Sequence, residues 1–206
     1  MNILTTLKSH STALIPLTFI GVLTGCSSYS VDDYAERSPQ LDPREFFDGK
    51  ICADGVVRDR SGKQIRQFNA EILASWNEEG VGTLDEIFQF DDGRETRQWT
   101  LTPVKRAGSQ RVDYYQAQAS DVPIPTQMKF AGNSIHMAYE LNYVTGKDDQ
   151  GKPETISLNM NDWMYQVSEG VVINETEMTK FGLHVGQVLL VMTKVDNSID
   201  CLSTQR

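Results

Sequence analysis

Apolar and polar residues alternate along most of the chain after residue 48. Phe68, Ala70, Ile72, Ala74 and Trp76 fall on one side of an extended segment, opposite Gln67, Asn69, Glu71 and Ser75, with Leu73 as the exception. Ile135, Met137, Tyr139, Leu141 and Tyr143 line up likewise, opposite His136, Glu140 and Asn142. A period of two is that of a strand with one face against a core. Similar segments near 49–58, 81–90, 95–104, 111–118, 124–131, 155–167, 170–180 and 185–195 bring the total to about ten strands. No long amphipathic helix interrupts them.

Turn residues add register. Asp92-Gly93 fits a two-residue type I′ loop, pairing Phe88 with Arg97, Glu86 with Trp99 and Leu84 with Leu101. Gly132-Asn133 pairs Phe130 with Ile135 and Met128 with Met137 in the same way. In 155–167 the apolar face switches from Ile156, Leu158 and Met160 to Trp163, Tyr165 and Val167, which predicts a bulge near Asn161-Asp162. The stretch 145–154 reads as an exposed loop. Successive hairpins in one modest domain resolve their edges by closing, so the expected fold is an all-β, antiparallel up-and-down barrel. A two-sheet sandwich is the alternative. A membrane-spanning barrel is disfavoured because the second face carries Gln67, Glu71, Gln98, His136, Glu140 and Asn142.

The N-terminus has a different pattern. An apolar run from Ala13 to Leu23 follows Lys8 and closes on Leu23-Thr24-Gly25-Cys26, the form of a secretory signal ending in a lipobox. Eleven or so apolar residues fall short of the ~20 that span a bilayer. Cleavage would leave Cys26 as the lipidated first residue, and Ser27 after it points, by analogy with bacterial lipoprotein sorting, to the periplasmic face of the outer membrane. The expected divisions are a signal peptide at 1–25, a lipidated flexible tether at 26–44, a barrel at 45–196 and a C-terminal tail at 197–206. The 181 residues left after cleavage suffice for one domain. The net charge of −9 argues against nucleic acid as a partner.

Once Cys26 is acylated, Cys52 and Cys201 remain. In an even-stranded closed barrel the last strand ends near the start of the first, which would bring Cys201 towards Cys52 in an oxidising compartment. A disulfide and two free thiols both stay open at this stage.

Candidate chemistry is sparse. Glu86 and Arg97 share a face with Leu84, Phe88, Phe90, Trp99 and Leu101, and as diagonal cross-strand neighbours they are expected to pair inside the barrel. The pair would serve either as a polar plug or as a ligand anchor. In the second case Arg97 meets a carboxylate or phosphate headgroup, with Phe88, Trp99 and Tyr139 around the chain. Asp162, beside Trp163, is expected either to be re-aimed into a cavity by the bulge or to cap it. The polar run Asn174 to Met178 lines a wet interior or faces solvent. His136 and His184 lack the neighbours of a metal site, and neither a nucleophile elbow nor a phosphate loop is present, so no cofactor and no catalytic residue are assigned.

Several motifs together resemble a family of bacterial lipoproteins, the domain-of-unknown-function 3833 family. They are Phe47-Asp48-Gly49, Gly55-Val56-Val57-Arg58-Asp59-Arg60-Ser61-Gly62, Gly82-Thr83-Leu84-Asp85-Glu86, Asp91-Asp92-Gly93, Asp162-Trp163-Met164-Tyr165 and Lys180-Phe181-Gly182. The resemblance implies a lipocalin-like barrel and, because members are often encoded beside enzymes that modify membrane fatty acids, an association with lipid. The expected function is a non-enzymatic, membrane-anchored lipoprotein that binds a fatty acid, phospholipid or other apolar molecule for envelope lipid maintenance. The alternative is an interaction module whose filled barrel docks a protein partner that the sequence does not identify. An internal cavity of ~300 Å3 or more favours binding.

Overall fold

The computed structural model describes residues 29–202. The signal-peptide segment and Cys26 lie outside the described residues. Ten strands follow two short helical segments: β1 (Gly49–Asp59), β2 (Gln64–Trp76), β3 (Gly82–Phe90), β4 (Gly93–Lys105), β5 (Val112–Ala119), β6 (Thr126–Ala131), β7 (Ser134–Lys147), β8 (Pro153–Ser168), β9 (Val171–Lys180) and β10 (Leu183–Val195). Each pairs antiparallel with its chain neighbours, and β10 pairs with β1. The sheet is therefore a closed up-and-down barrel with no free lateral edge between first and last strands. The alternation read from the sequence sets its inside: Phe68, Ala70, Ile72 and Ala74 of β2 are all buried, while Leu73, the exception, faces solvent.

The β3–β4 hairpin corrects one register. Phe90 pairs with Gly93, Glu86 with Arg97 and Leu84 with Trp99, so the loop is Asp91-Asp92 rather than Asp92-Gly93. Neither aspartate has a positive φ, so the turn is not type I′. The displacement is by two residues, an even number, so every side chain keeps its expected face. The β6–β7 hairpin pairs Phe130 with Ile135 as expected. No bulge occurs at Asn161-Asp162, where both ladders run on without a shift. Ile156, Leu158, Met160, Asp162 and Met164 form one continuous inner face. The expected switch to Trp163 and Tyr165 reflects a second apolar layer outside the barrel. The strands also extend into the expected 145–154 loop, leaving only 148–152 as the connection.

That outer layer is made by the N-terminal segment. Of the expected tether, residues from Tyr29 onward lie against the barrel. A 3-10 turn (Val31–Tyr34) places Tyr29 and Tyr34 with ring centroids 4.9 Å and 5.6 Å from Trp163, and His136 stacks on Trp163 at 4.3 Å. Leu41 N–H donates to the Gly132 carbonyl at 2.8 Å. Gly132 has φ +54, and a Cβ there would collide with the Tyr34 carbonyl, so only glycine accepts the crossing chain. A single helical turn, α1 (Pro43–Phe46), is capped by Asp42 and turns Phe46 and Phe47 under the barrel.

Phe46 and Phe47 join Leu41, Ile51, Trp76 and Tyr115 to fill the end of the barrel from which β1 starts. The Trp76 indole N–H donates to the Phe47 carbonyl. Outside this end, Cys52 and Cys201 form a disulfide that closes 149 residues of sequence separation. It ties the tail to β1, and Lys50 Nζ donates to the Ile199 carbonyl at 2.8 Å beside it. The opposite end, where the Asp91-Asp92 and Phe181-Gly182 turns lie, has no such plug.

Candidate functional site

Above the floor made by Phe47, the barrel encloses a cavity of about 450 Å3. Inward-facing residues of every strand except β5 build its wall, and most are apolar: Phe68, Phe88, Leu141, Leu158, Met160 and Leu190 are examples. Alternation forces this composition, since the residues with period two that face in are those excluded from the solvent face.

A polar group interrupts the apolar wall. Glu86 on β3 and Arg97 on β4 are directly opposed, yet the expected ion pair between them is replaced by another: Arg97 Nε donates to Asp121 Oδ2 at 2.9 Å. The reason is the height of the wall. β5 and β6 have 8 and 6 residues against 13 and 14 in the flanking β4 and β7. The last β4–β5 pair towards the open end is Trp99 with Ala119, so the following loop runs alongside Arg97 and presents Asp121 to it. Asn142 N–H donates to the Asp121 carbonyl at 2.8 Å and fixes that loop against β7.

Glu86 is left with an unusual environment. Its Oε2, like Asp121 Oδ1, is shut off from solvent and accepts no hydrogen bond from the protein. Burial pushes the Glu86 carboxyl up to about 7; Arg97 opposes this, Asp121 and Asp162 reinforce it, and the Trp99 indole lowers it slightly. For Arg97, burial works against the charge, but Glu86, Tyr139 and Asp121 outweigh it and hold the guanidinium protonated.

Asp162 lies on the same inner surface. Asn174 Nδ2 and Thr176 Oγ1 both donate to its Oδ1, the second at 3.0 Å. Burial raises its carboxyl, and these two hydrogen bonds oppose the rise. Asn174, Thr176 and Met178 therefore line the interior, while Glu175 and Glu177 of the same run face out. Tyr139 completes the group, edge-on to Trp99 with centroids 5.4 Å apart, and burial drives its phenol far upward. At the mouth, Arg66 Nη2 donates to Asp92 Oδ1 at 2.6 Å and to Glu95 Oε1 at 2.8 Å. The guanidinium lies 3.6 Å over the Phe90 ring, and its Nη1 is 3.4 Å from the Tyr143 phenol across the opening. The rim beyond exposes Phe181 almost fully and most of Leu183.

Of the sequence-derived candidates, Glu86, Phe88, Arg97, Trp99, Tyr139 and Asp162 all line the cavity. Trp163 does not: it is on the outer wall beneath Tyr29 and Tyr34. Asp121 and Arg66 were not anticipated. Arg66 continues the inward period of Phe68 and Ala70 by one step, a legible signal, whereas Asp121 sits in a loop, where periodicity carries no information. Among the described residues no cluster of three or more His, Cys, Asp or Glu side chains could hold a metal, and no helix is long and apolar enough to cross a membrane.

Comparison with known proteins agrees with the architecture. Residues 20–194 match the family described as Protein of unknown function (DUF3833), and the chain belongs to that family. No curated protein matches the chain. Among solved structures, a protein of unknown function from the DUF3598 family of Nostoc punctiforme is similar in fold, with a TM-score of 0.50 and 12% identity over 77% of this chain. The match covers 51% of that protein, so the chain spans about half its length. An S-type phycobiliprotein lyase from Guillardia theta has a TM-score of 0.49 at 9% identity, covering 75% of this chain and 91% of the lyase.

Proposed function

We propose that this member of the DUF3833 family binds one apolar molecule in the open half of its barrel, and that it does so as a lipoprotein anchored through acylated Cys26 at the periplasmic face of the outer membrane, in the upkeep of envelope lipid. The observation that carries the binding reading is the cavity. Its 450 Å3 falls within the range of small-molecule sites and above the ~300 Å3 that separates a carrier from a self-filled barrel. Apolar walls supply affinity at roughly 25 cal/mol for each Å2 of apolar surface removed from water. Phe88, Trp99 and Tyr139 would flank the ligand, with the polar group around Glu86, Arg97 and Asp162 at one end of it. The alternative of an interaction module needs an interior filled by its own side chains, and only the closed half meets that condition.

The anchor bears on how the mouth is presented. Two residues, Ser27 and Ser28, separate Cys26 from Tyr29, so the acylated Cys26 could lie no more than about 10 Å from Tyr29 along an extended chain. Tyr29 packs on the outer wall towards the closed end. An acylated Cys26 would thus hold the closed half near the membrane and leave the mouth free to receive cargo. Cys26→Ala should move the protein out of the membrane fraction; unchanged fractionation would remove the anchor from the account.

The cargo is tested by native mass spectrometry of the full-length protein released from lipid nanodiscs, followed by solvent extraction. Wild type should retain one apolar molecule that Val188→Trp, which fills the cavity from β10, does not. A barrel that is empty in both, or equally loaded in both, would move the reading to the interaction module.

A further inference from the structure

The polar end of the cavity has a sign. One guanidinium, that of Arg97, faces three carboxyl groups: Asp121 in direct contact, Glu86 opposite it on β3, and Asp162 across the barrel on β8. Asp121 already matches the positive charge of Arg97. What remains without a partner is acceptor capacity: Glu86 Oε2 and Asp121 Oδ1, both buried and both on cavity-lining residues. A buried carboxylate oxygen that accepts no hydrogen bond is costly, and a bound group that donates to it recovers that cost. An anionic headgroup would add acceptors to a site already rich in them and set like charges together.

Resting on the binding reading above, we infer that the ligand of this cavity is an apolar chain or ring system ending in a hydrogen-bond donor, a hydroxyl or an ammonium, and not in a carboxylate or phosphate. Such a group would lie between Glu86 and Asp121 with its apolar body towards Leu141, Leu158 and Leu190. Arg97 acts as a positioning residue: its bond to Asp121 holds that carboxylate at the wall of the cavity. This reverses the part expected of Arg97 from the sequence. Site charge also depends on pH. The groups around Glu86 are Arg97 and Trp99 from β4, Asp121 from the β5–β6 loop, Tyr139 from β7 and Asp162 from β8. Glu86 itself loses its proton near neutrality, so an ammonium gains an ionic partner as the pH rises through about 7.

The test uses the full-length protein in nanodiscs loaded with Nile red, a neutral apolar dye, with Val188→Trp protein as the blank for partition into lipid. Three competitors share one chain and differ in the head: decan-1-ol, decylammonium and decanoate. Near pH 8 the alcohol and the ammonium should displace the dye at concentrations at least about tenfold below decanoate, the effect of one or more hydrogen bonds to a charged group. The advantage of ammonium over alcohol should shrink below neutrality, and Glu86→Gln should reduce it about tenfold at the higher pH while leaving the alcohol bound. Decanoate binding as well as the other two, or a head preference unchanged by Glu86→Gln, would overturn the inference. The wild-type series decides it even if that variant does not fold. If no decyl compound displaces more dye from wild type than from the blank, the cavity reading itself fails; if decanoate wins, that reading stands and the inference alone falls.

Discussion

The same ten strands make two unlike half-barrels. In the closed half, Leu41, Phe46, Phe47, Ile51, Trp76 and Tyr115 interdigitate, the N-terminal segment wraps the wall, and the disulfide fastens the tail. In the open half the inward residues are mostly apolar but include the polar group around Glu86, Arg97 and Asp162, no segment of chain packs between them, and a cavity of about 450 Å3 remains. Strand composition accounts for part of the difference, since the charged inward residues all lie in the open half. The rest lies in what is added from outside the sheet: a plug of 19 residues from Tyr29 to Phe47 at one end, strand connections of two to six residues at the other. Close packing supplies stability, so a barrel this size can leave one half hollow only because the other is overdetermined.

The largest break in this comparison should come from the plug. Phe47→Ala, at a site only 3% exposed, is expected to cost about 3–5 kcal/mol in urea unfolding, whereas Phe88→Ala in the hollow half should cost under about 2 kcal/mol, since one side of that ring already faces space. Equal losses would show that the two halves are packed alike. Next in size is the disulfide. Replacing Cys52 and Cys201 by alanine should cost about 2–4 kcal/mol, because the link closes most of the chain. Ligand affinity should survive, as the bridge lies outside the closed end.

Glu86→Gln should act in the opposite direction. The carboxyl is raised to about 7 in the folded protein from an ordinary value of 4.5, so between those values the native state binds more protons than the unfolded one. Wild-type stability contributed by this group therefore falls as pH rises through that window, and the cost is fully present above it. Glutamine should stabilise the protein by about 1–3 kcal/mol near pH 8 and change little near pH 4. Unfolding curves at the two pH values decide this, and a variant less stable than wild type near pH 8 would contradict the assignment. Asp162, also raised by burial, adds a slope of the same sign. The smallest effect belongs to Arg66. The carboxylates it pairs with, Asp92 and Glu95, are about half exposed, so Arg66→Ala should change stability by about 1 kcal/mol or less. By opening the mouth it should nonetheless speed dye release in a stopped-flow trace.

Much of this architecture was legible before the structure. Period-two alternation placed all ten strands and the inward faces of all but the second half of β8, and parity protected those of β3 and β4 when the Asp91-Asp92 loop displaced the register by two. Reading failed where a residue's surroundings come from distant chain. Trp163 looked like an inward residue because it is large and apolar, but its partners, Tyr29 and Tyr34, arrive from a segment whose polar composition resembled a tether. The pairing of Glu86 with Arg97 was a sound inference from the hairpin, and it was displaced by a loop residue, Asp121, that no periodicity could place. Six of the seven ligand-facing candidates do line the cavity, because facing inward is a local property; their partners are not.

The central claim, that the open half is a binding chamber and not a defect of packing, is tested most directly by titrating the full-length protein with Nile red and comparing it with Val188→Trp. The account predicts saturable binding of one dye molecule to wild type, and its loss in the variant with no loss of stability, because the added indole enters existing space. Equal binding by both proteins, or a variant destabilised as an overpacked core would be, by about 1–3 kcal/mol, would contradict it.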